Sequence, residues 1–409
     1  PIEDLEARIS PDGTMLAVAR GYRTMMRHAN IYGDVVTANA DLYVASLSDL
    51  PVEPLRQLTS DHSSLNGLAW TPDSREIVYA SDRVHDYNNL RLWRVPAAGG
   101  PSVQIPTRGD RIIFPAVSPD GRLLAYVEGM LNRDVVWRYA LSGTDSVAAP
   151  PERLIQSSAD EMSAEYSPDG RRIVFASRRS GNDEIWACDS DGSNPVQLTF
   201  LEGPRTGTPR WSPDGRFIAF DSYPLPEGKP RLFVIPSDGG TPRRVGPDSL
   251  NLGAPFWSGN GQWLYSGIWK VPVHGGRPLR ILPEGSGTRE SPDGQWLYYY
   301  TSGTDTLGSF AIWKTPMDGG NAELVLDNIR ANAWRGWVMF DDGLYFMDWN
   351  DERESFSFKF FDFATGTTKI LTQVPQYGHY FHVSPDREYL IAFRHEGGGV
   401  DLVALENWR

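Results

Sequence analysis

Ser167-Pro168-Asp169-Gly170, entered from Ala164-Glu165-Tyr166 and left along Arg172-Ile173-Val174-Phe175-Ala176, reads as two strands joined by a tight turn. Each turn residue has a reason to be there. Proline presets φ for the second turn position, the aspartate side chain bonds backbone amides ahead of it, and glycine accepts the positive φ that closes the turn. The chain then runs through a polar loop to Glu184-Ile185-Trp186-Ala187, turns at Asp191-Gly192 and continues as Val196-Gln197-Leu198-Thr199. The unit is four short strands and three turns.

Clean copies of the tetrapeptide begin at Ser10, Ser118, Ser167, Ser212 and Ser291, and worn copies at Thr71, Ser258, Phe340 and Ser384. Successive anchors are 61, 47, 49, 45, 46, 33, 49 and 44 residues apart. A period in the forties marks a repeat architecture with one supersecondary unit per period. A second turn recurs at Gly99-Gly100, Asp238-Gly239-Gly240, Gly275-Gly276 and Asp318-Gly319-Gly320, behind strands carrying Trp93, Trp186, Phe233, Trp269 and Trp313. Aromatics at matching places in successive units suit packing between neighbouring sheets. The pattern predicts an all-β chain: one domain over residues 1–409, a single closed β-propeller of nine four-stranded antiparallel blades, or eight if one repeat fails to form a blade.

Thirty-nine basic against 52 acidic residues leave a net charge of −13, which argues against nonspecific binding to nucleic acid or an anionic membrane. The single cysteine, Cys188, excludes a disulfide scaffold. The sequence contains no signal peptide, long apolar run or lipidation motif, and a start at Pro1 without Met reads as a processed or excised piece.

The Ser-Pro-Asp-Gly turns, the strand Ile268-Trp269-Lys270-Val271-Pro272 and the Asp-Gly-Gly turns together resemble the TolB-type, WD-like propeller repeats of bacteria. The closing stretches Phe360-Phe361-Asp362-Phe363-Ala364-Thr365-Gly366 and Asp401 to Asn407 look closest to the C-terminal region of membrane-anchored bacterial winged-helix regulators and kinases. That resemblance implies a sensory or scaffolding module, periplasmic or otherwise extracytoplasmic. Two places depart from the pattern. In the sixth repeat Trp263-Leu264-Tyr265-Ser266 runs almost directly into Ile268, so its central loop is either very tight or absent. The last repeat stops after its third strand near Leu405, leaving Pro1 to Asp4 as a stub of a closing strand, or that strand upstream of Pro1.

No Gly-x-Ser-x-Gly, P-loop, His-Glu-x-x-His or paired-cysteine zinc site is present. His62 and the pair His379/His382 fall just before the innermost strands of repeats two and nine. They are candidates for a channel metal or acid/base cluster, as in propeller-type pectate-fragment lyases, or for polar groups bonded to water. Asp189-Ser190-Asp191-Gly192-Ser193-Asn194 looks faintly like a calcium loop but lacks its bidentate Glu, and it coincides with an ordinary turn. Asp348, Asp351, Glu352 and Glu354 read as a solvated loop tip.

The residue two before each anchor is often charged, with Arg8, Glu165, Arg210, Arg289 and His382, while the next is mostly apolar, with Ile9, Trp70, Val117, Tyr166, Trp211 and Trp257. Strand alternation sends the two sets to opposite faces. The charged set lines a polar channel wall or forms ion pairs between blades; both readings are open. The long loop Gly21 to Ala40, with Arg23, Met25, Met26, Arg27, His28 and Tyr32, is a partner-binding arm or a plain extended hairpin.

The sequence therefore points to a non-catalytic binding or scaffold module of a bacterial envelope or sensory protein. It engages a protein, peptide or small ligand at the channel mouth through Glu165, Arg210, Arg289, Trp334, Arg335, His379, His382 and His62. No cofactor or metal is expected, nor nucleic-acid binding or membrane insertion, and the isolated domain is expected to be a monomer. The alternatives are a channel-centred, metal-assisted lyase or hydrolase and a purely structural ring.

Overall fold

The computed structural model describes residues 2–408 apart from 23–38, 48–53, 84–89, 108–110, 130–131, 142–149, 156, 158, 225–228, 303–308, 331–335, 350–354, 376–379, 398–399 and 407. Among the described residues all regular structure is β-strand, and no helix is long and apolar enough to cross a membrane.

The turns form as their chemistry dictates. At Ser167 the hydroxyl donates to Asp169 Oδ1 (2.6 Å) and accepts from the Arg172 amide (2.9 Å), the Arg171 amide donates to the same carboxylate (3.1 Å), and the Gly170 amide closes on the Ser167 carbonyl (2.8 Å). Gly170 sits at φ +71°, where a side chain is strained. Equivalent hydroxyl-to-carboxylate bonds recur at Ser10, Thr71, Ser118, Ser212, Ser291 and Ser384. At Ser258 an asparagine, Asn260, takes the place of the aspartate, and Phe340–Gly343 closes without such a cap.

The chain divides into two compact units, residues 1–132 with 397–409, and residues 133–396. In the first unit, sheet A (Ile2–Ile9, Met15–Tyr22, Asn39–Ser46, Arg56–Gln57) is joined through Asn39 and Ala40 to sheet B (Ser63–Trp70, Glu76–Ser81, Arg91–Pro96, Val103–Gln104). Sheet C has three strands, Ile112–Val117, Leu123–Gly129 and Val400–Glu406. Ala17, Leu42 and Val44 of A pack on Leu68, Ile77 and Tyr79 of B, and Val78, Ala80 and Leu92 of B pack on Ile112, Leu124 and Tyr126 of C. B and C approach so closely at Gly67 that a Cβ there would stand 2.8 Å from the Phe114 Cα.

The second unit begins with sheet D, built from both ends of its chain: Glu152–Arg153, Asn132–Ala140, Tyr389–Gly397 and Phe381–Val383, in that order. Sheets E (Glu161–Tyr166, Arg172–Ser177, Glu184–Asp189, Val196–Gln197), F (Thr206–Trp211, Phe217–Ser222, Arg231–Pro236, Arg243–Val245), G (Phe256–Trp257, Trp263–Ser266, Trp269–Pro272, Leu279–Arg280), H (Ser286–Glu290, Trp296–Ser302, Phe310–Pro316, Glu323–Ile329) and I (Trp337–Phe340, Gly343–Trp349, Ser355–Asp362, Thr367–Pro375) are consecutive antiparallel meanders. Each buries an apolar face on the next. Val136, Ile391 and Phe393 of D meet Tyr166, Ile173 and Phe175 of E; Val174, Ala176 and Ile185 of E meet Trp211, Ile218 and Phe220 of F. Ala219 and Leu232 of F meet Leu264 and Val271 of G, and Phe256 and Tyr265 of G meet Leu297 of H. Phe310 and Ile312 of H share a core with Trp337 and Leu344 of I, and Phe358 of I lies 5.4 Å, ring to ring, from Phe381 of D. Each fully buried Ile, Leu or Phe contributes about 1.5–3 kcal/mol relative to an exposed one. Cys188, in the third strand of E, is buried, and burial pushes its thiol up to about 12.

Two expectations change and one open alternative is resolved. The repeats anchored at Ser118 and Ser384 do not each give a four-stranded sheet: Leu123–Gly129 pairs with Val400–Glu406, and Asn132–Ala140 pairs with Tyr389–Gly397. The described strands build nine sheets, each holding one anchor turn, but the third strands of the Ser118 and Ser384 repeats are exchanged and sheet C has three described strands. The exchange is physically cheap because all four strands carry the same repeat pattern. Residues Ile2–Asp4 extend the first strand of sheet A against Arg20–Tyr22 and do not complete a distant sheet. In the short sixth repeat Ser266 pairs directly with Trp269, and Gly267 at φ +55° makes the turn, so the loop is tight.

Candidate functional site

The innermost strands of the second unit carry the charged positions, and a recurrent irregularity aims them. Pairing slips between Met162 and Glu165, between Gly207 and Arg210, and between Ser286 and Arg289. Four residues before the anchor the backbone turns to positive φ, at Ser163 (60°), Thr208 (53°), Ala254 (49°) and Gly287 (63°), and in the first unit at Gly67 (88°) and Phe114 (54°). All but Ala254, which precedes its strand, are bulges, in which one extra residue bends the strand and re-aims the side chain after it. Sequence reasoning missed them. The only legible sign is that Gly67 and Gly287 stand at the same distance from their anchors.

Beyond the bulges, side chains from successive sheets touch. Glu165 of E and Arg210 of F, 8% and 9% exposed, form an ion pair, and the Trp211 amide donates to Glu165 Oε1 (3.1 Å). Burial alone would raise the Glu165 carboxyl; the charges of Arg210 and His382, with the bonds from Arg210 and Trp211, more than offset it and hold the group below its ordinary value. The Arg210 guanidinium lies 4.5 Å from the ring centre of Phe256 in G, and the Arg289 guanidinium of H lies 4.3 Å from the same ring. Arg289 also stacks 4.0 Å from the Trp337 ring of I and donates to the Trp337 carbonyl (2.6 Å). His382 of D faces Tyr166 with ring centres 6.4 Å apart. The result is a belt running His382, Glu165, Arg210, Phe256, Arg289, Trp337 across all six sheets. Two of its buried polar atoms, Arg210 Nε and Trp337 Nε1, and Thr208 Oγ1 at the bulge before Arg210 meet no hydrogen-bond partner among the described residues. Such atoms call for water or a ligand.

The apolar position beside the belt ties each sheet to the one before. The indole of Trp70 donates to the Arg8 carbonyl (2.9 Å), that of Trp211 to Glu165 (3.3 Å) and that of Trp257 to Arg210 (3.0 Å).

Of the residues singled out in the sequence, the structure brings together Glu165, Arg210, Arg289 and His382, and for Glu165 and Arg210 it decides in favour of an ion pair between sheets. Phe256 and Trp337, the stacking platforms, were missed: Phe256 occupies the right position but is uncharged, and Trp337 lies three before its anchor instead of two. His62 belongs to the first unit, where its exposed ring holds Asp41 Oδ2 at 2.7 Å. Arg8, also in the first unit, is exposed and pairs with its neighbour Glu6 (2.7 Å). Trp334, Arg335, His379, Asp351, Glu352, Glu354 and the loop residues Arg23, Met25, Met26, Arg27, His28 and Tyr32 lie outside the described residues. Asp348 binds Lys359 Nζ (2.5 Å) and the Arg330 amide (3.0 Å). Asp189 to Asn194 is a turn closed internally by Ser193 on Asp191 (2.6 Å) and Asn194 on Asp189 (2.7 Å). Among the described residues no group of three or more His, Cys, Asp or Glu side chains is arranged to hold a metal ion.

No family model matches the chain. A 65-residue stretch is 49% identical to the TolB homolog of Chlorobaculum tepidum, covering 16% of this chain and 14% of that protein. A 117-residue stretch is 32% identical to the Tol-Pal system protein TolB of Desulfosudis oleivorans, covering 29% of this chain and 25% of that protein. The chain thus spans a quarter or less of either relative. Among solved structures, an oligogalacturonate lyase from Vibrio parahaemolyticus is 12% identical over 96% of this chain and 98% of that one, at a TM-score of 0.37. A likeness that low says nothing of chemistry. In sequence, the matched stretches of this all-β chain are similar to TolB proteins.

Proposed function

We propose that the chain is a TolB-like β-propeller module that binds a protein or peptide and catalyses no reaction, working outside the cytoplasm in a bacterial envelope or sensory protein. The observation that carries this reading is the belt of His382, Glu165, Arg210, Phe256, Arg289 and Trp337, in which Arg210 and Arg289 are committed to ion pairing and stacking while Arg210 Nε and Trp337 Nε1 stay buried without a hydrogen-bond partner among the described residues. A closed ring of six blades in the second unit fits it. Sheet I packs on sheet D, and D zips the two ends of the unit together, with the Leu141 amide on the Glu388 carbonyl (2.8 Å). A ring closed in this way protects its edges and gathers the innermost strands around one axis.

The binding residues proposed are those of the belt together with Trp334, Arg335 and His379. The test is to capture a partner and compare two double variants. Arg335→Ala with His382→Ala is expected to weaken binding at least about tenfold, or about 1.4 kcal/mol. Arg171→Ala with Arg216→Ala, exposed on the opposite turn face, is expected to leave it unchanged. Loss of binding only in the second pair, with both proteins folded, would overturn the assignment.

A further inference from the structure

The three sheets of the first unit end in two apolar faces that no other sheet of that unit covers. In sheets B and E the residues seven and nine after the anchor lie against the next sheet: Val78 and Ala80 of B, Val174 and Ala176 of E, all 0% exposed. In sheet C the same offsets from Ser118 fall on Ala125 and Val127, which are only half-buried and pair with Ala404 and Leu402. Leu402 is 80% exposed, Leu123 41% and Phe114 59%, and Ala404 is exposed beside them. At the opposite end, the residue just before the anchor tucks beneath the preceding sheet in Trp70, Tyr166 and Trp211, which are 3–7% exposed; in sheet A it is Ile9, 62% exposed.

These are the two halves of one interface. The face of C has the register and apolar character of faces that receive a following sheet, and the edge of A that of edges that seat on a preceding one. We propose that a second copy of this chain supplies both partners, sheet A of each copy seating on sheet C of the other. Two three-sheet arcs then complete one ring of six sheets around a twofold axis, each contact continuing the sheet-to-sheet interface already made between A and B and between B and C. The number of copies rests on the six-sheet closure proposed for the second unit; the binding comparison reads that unit alone, so either proposal can fail without the other. The proposed dimer departs from the monomer expected from sequence, on the ground that apolar faces of this kind stay in water only at a cost.

Sedimentation of the whole chain tests this. The wild type is expected at twice the 45.7 kDa chain mass, and Ile9→Arg and Leu402→Arg each at the mass of one chain with unchanged circular dichroism. Mixing the two variants should restore a one-to-one complex, because each retains the face the other has lost. A surface that pairs with itself gives no such rescue. A wild type that sediments as one chain or as three, single variants that both remain dimers, or a mixture that fails to associate would each overturn the proposal.

Discussion

Taking one charge from the Glu165–Arg210 pair leaves the other buried against Trp211 and Phe256 without its ion-pair partner. Arg210→Ala is expected to destabilise the second unit by about 3–5 kcal/mol in urea unfolding, and Glu165→Leu with Arg210→Met to recover most of that loss. If the double variant is no better than the single one, the pair is not the source of the cost. Gly170→Val is a purely conformational case: a Cβ there would meet the Pro385 ring at an ordinary 3.8 Å, so only the φ of +71° opposes it. The melting temperature should fall by the equivalent of about 1 kcal/mol or more. Both features were readable at this scale, the glycine from its turn and the charges from their fixed distance to the anchor. Which partner Arg210 would choose was not, because sequence gives the face of a strand but not the neighbour across it.

The turns predict an acid response. The serine hydroxyl, and after it a backbone amide, holds the carboxyls of Asp12 and Asp120 down at about 2, from an ordinary 3.8, and lowers those of Asp169, Asp214 and Asp293 in the same way. A carboxyl whose value is depressed on folding adds stability that is complete above its ordinary value and lost as pH falls through the depressed one. Thermal stability should therefore hold from neutral pH to just above 4 and decline between there and about 2. Ser167→Ala with Ser212→Ala should move that decline to higher pH, as followed by circular dichroism; an unmoved midpoint would show that the hydroxyls do not hold the charges. Strands and turns were legible because turn chemistry is local. The bulges were not: a positive φ at Thr208 or Phe114 is imposed by neighbouring strands and leaves no trace in residue type.

At the scale of the whole chain, the sequence misled through its own regularity. The repeats at Ser118 and Ser384 each contain strands fit for one sheet, and adjacent strands pair by default, yet the second and third strands of each part company. Nothing in a residue list distinguishes equivalent partners. The exchange makes the last segment serve both units at once, with Tyr389–Gly397 in sheet D and Val400–Glu406 in sheet C. A chain ending at Glu388 is expected to lose hydrogen-exchange protection in both Leu123–Gly129 and Asn132–Ala140, and retention in either would contradict the pairing. The solitary Cys188 offers a way to watch the second unit by itself. Shielded within sheet E and kept un-ionised, it is doubly unreactive in the native state, so an alkylating reagent consumes it only when that sheet opens. The rate of labelling becomes a built-in timer of local unfolding, blind to whatever the other unit does.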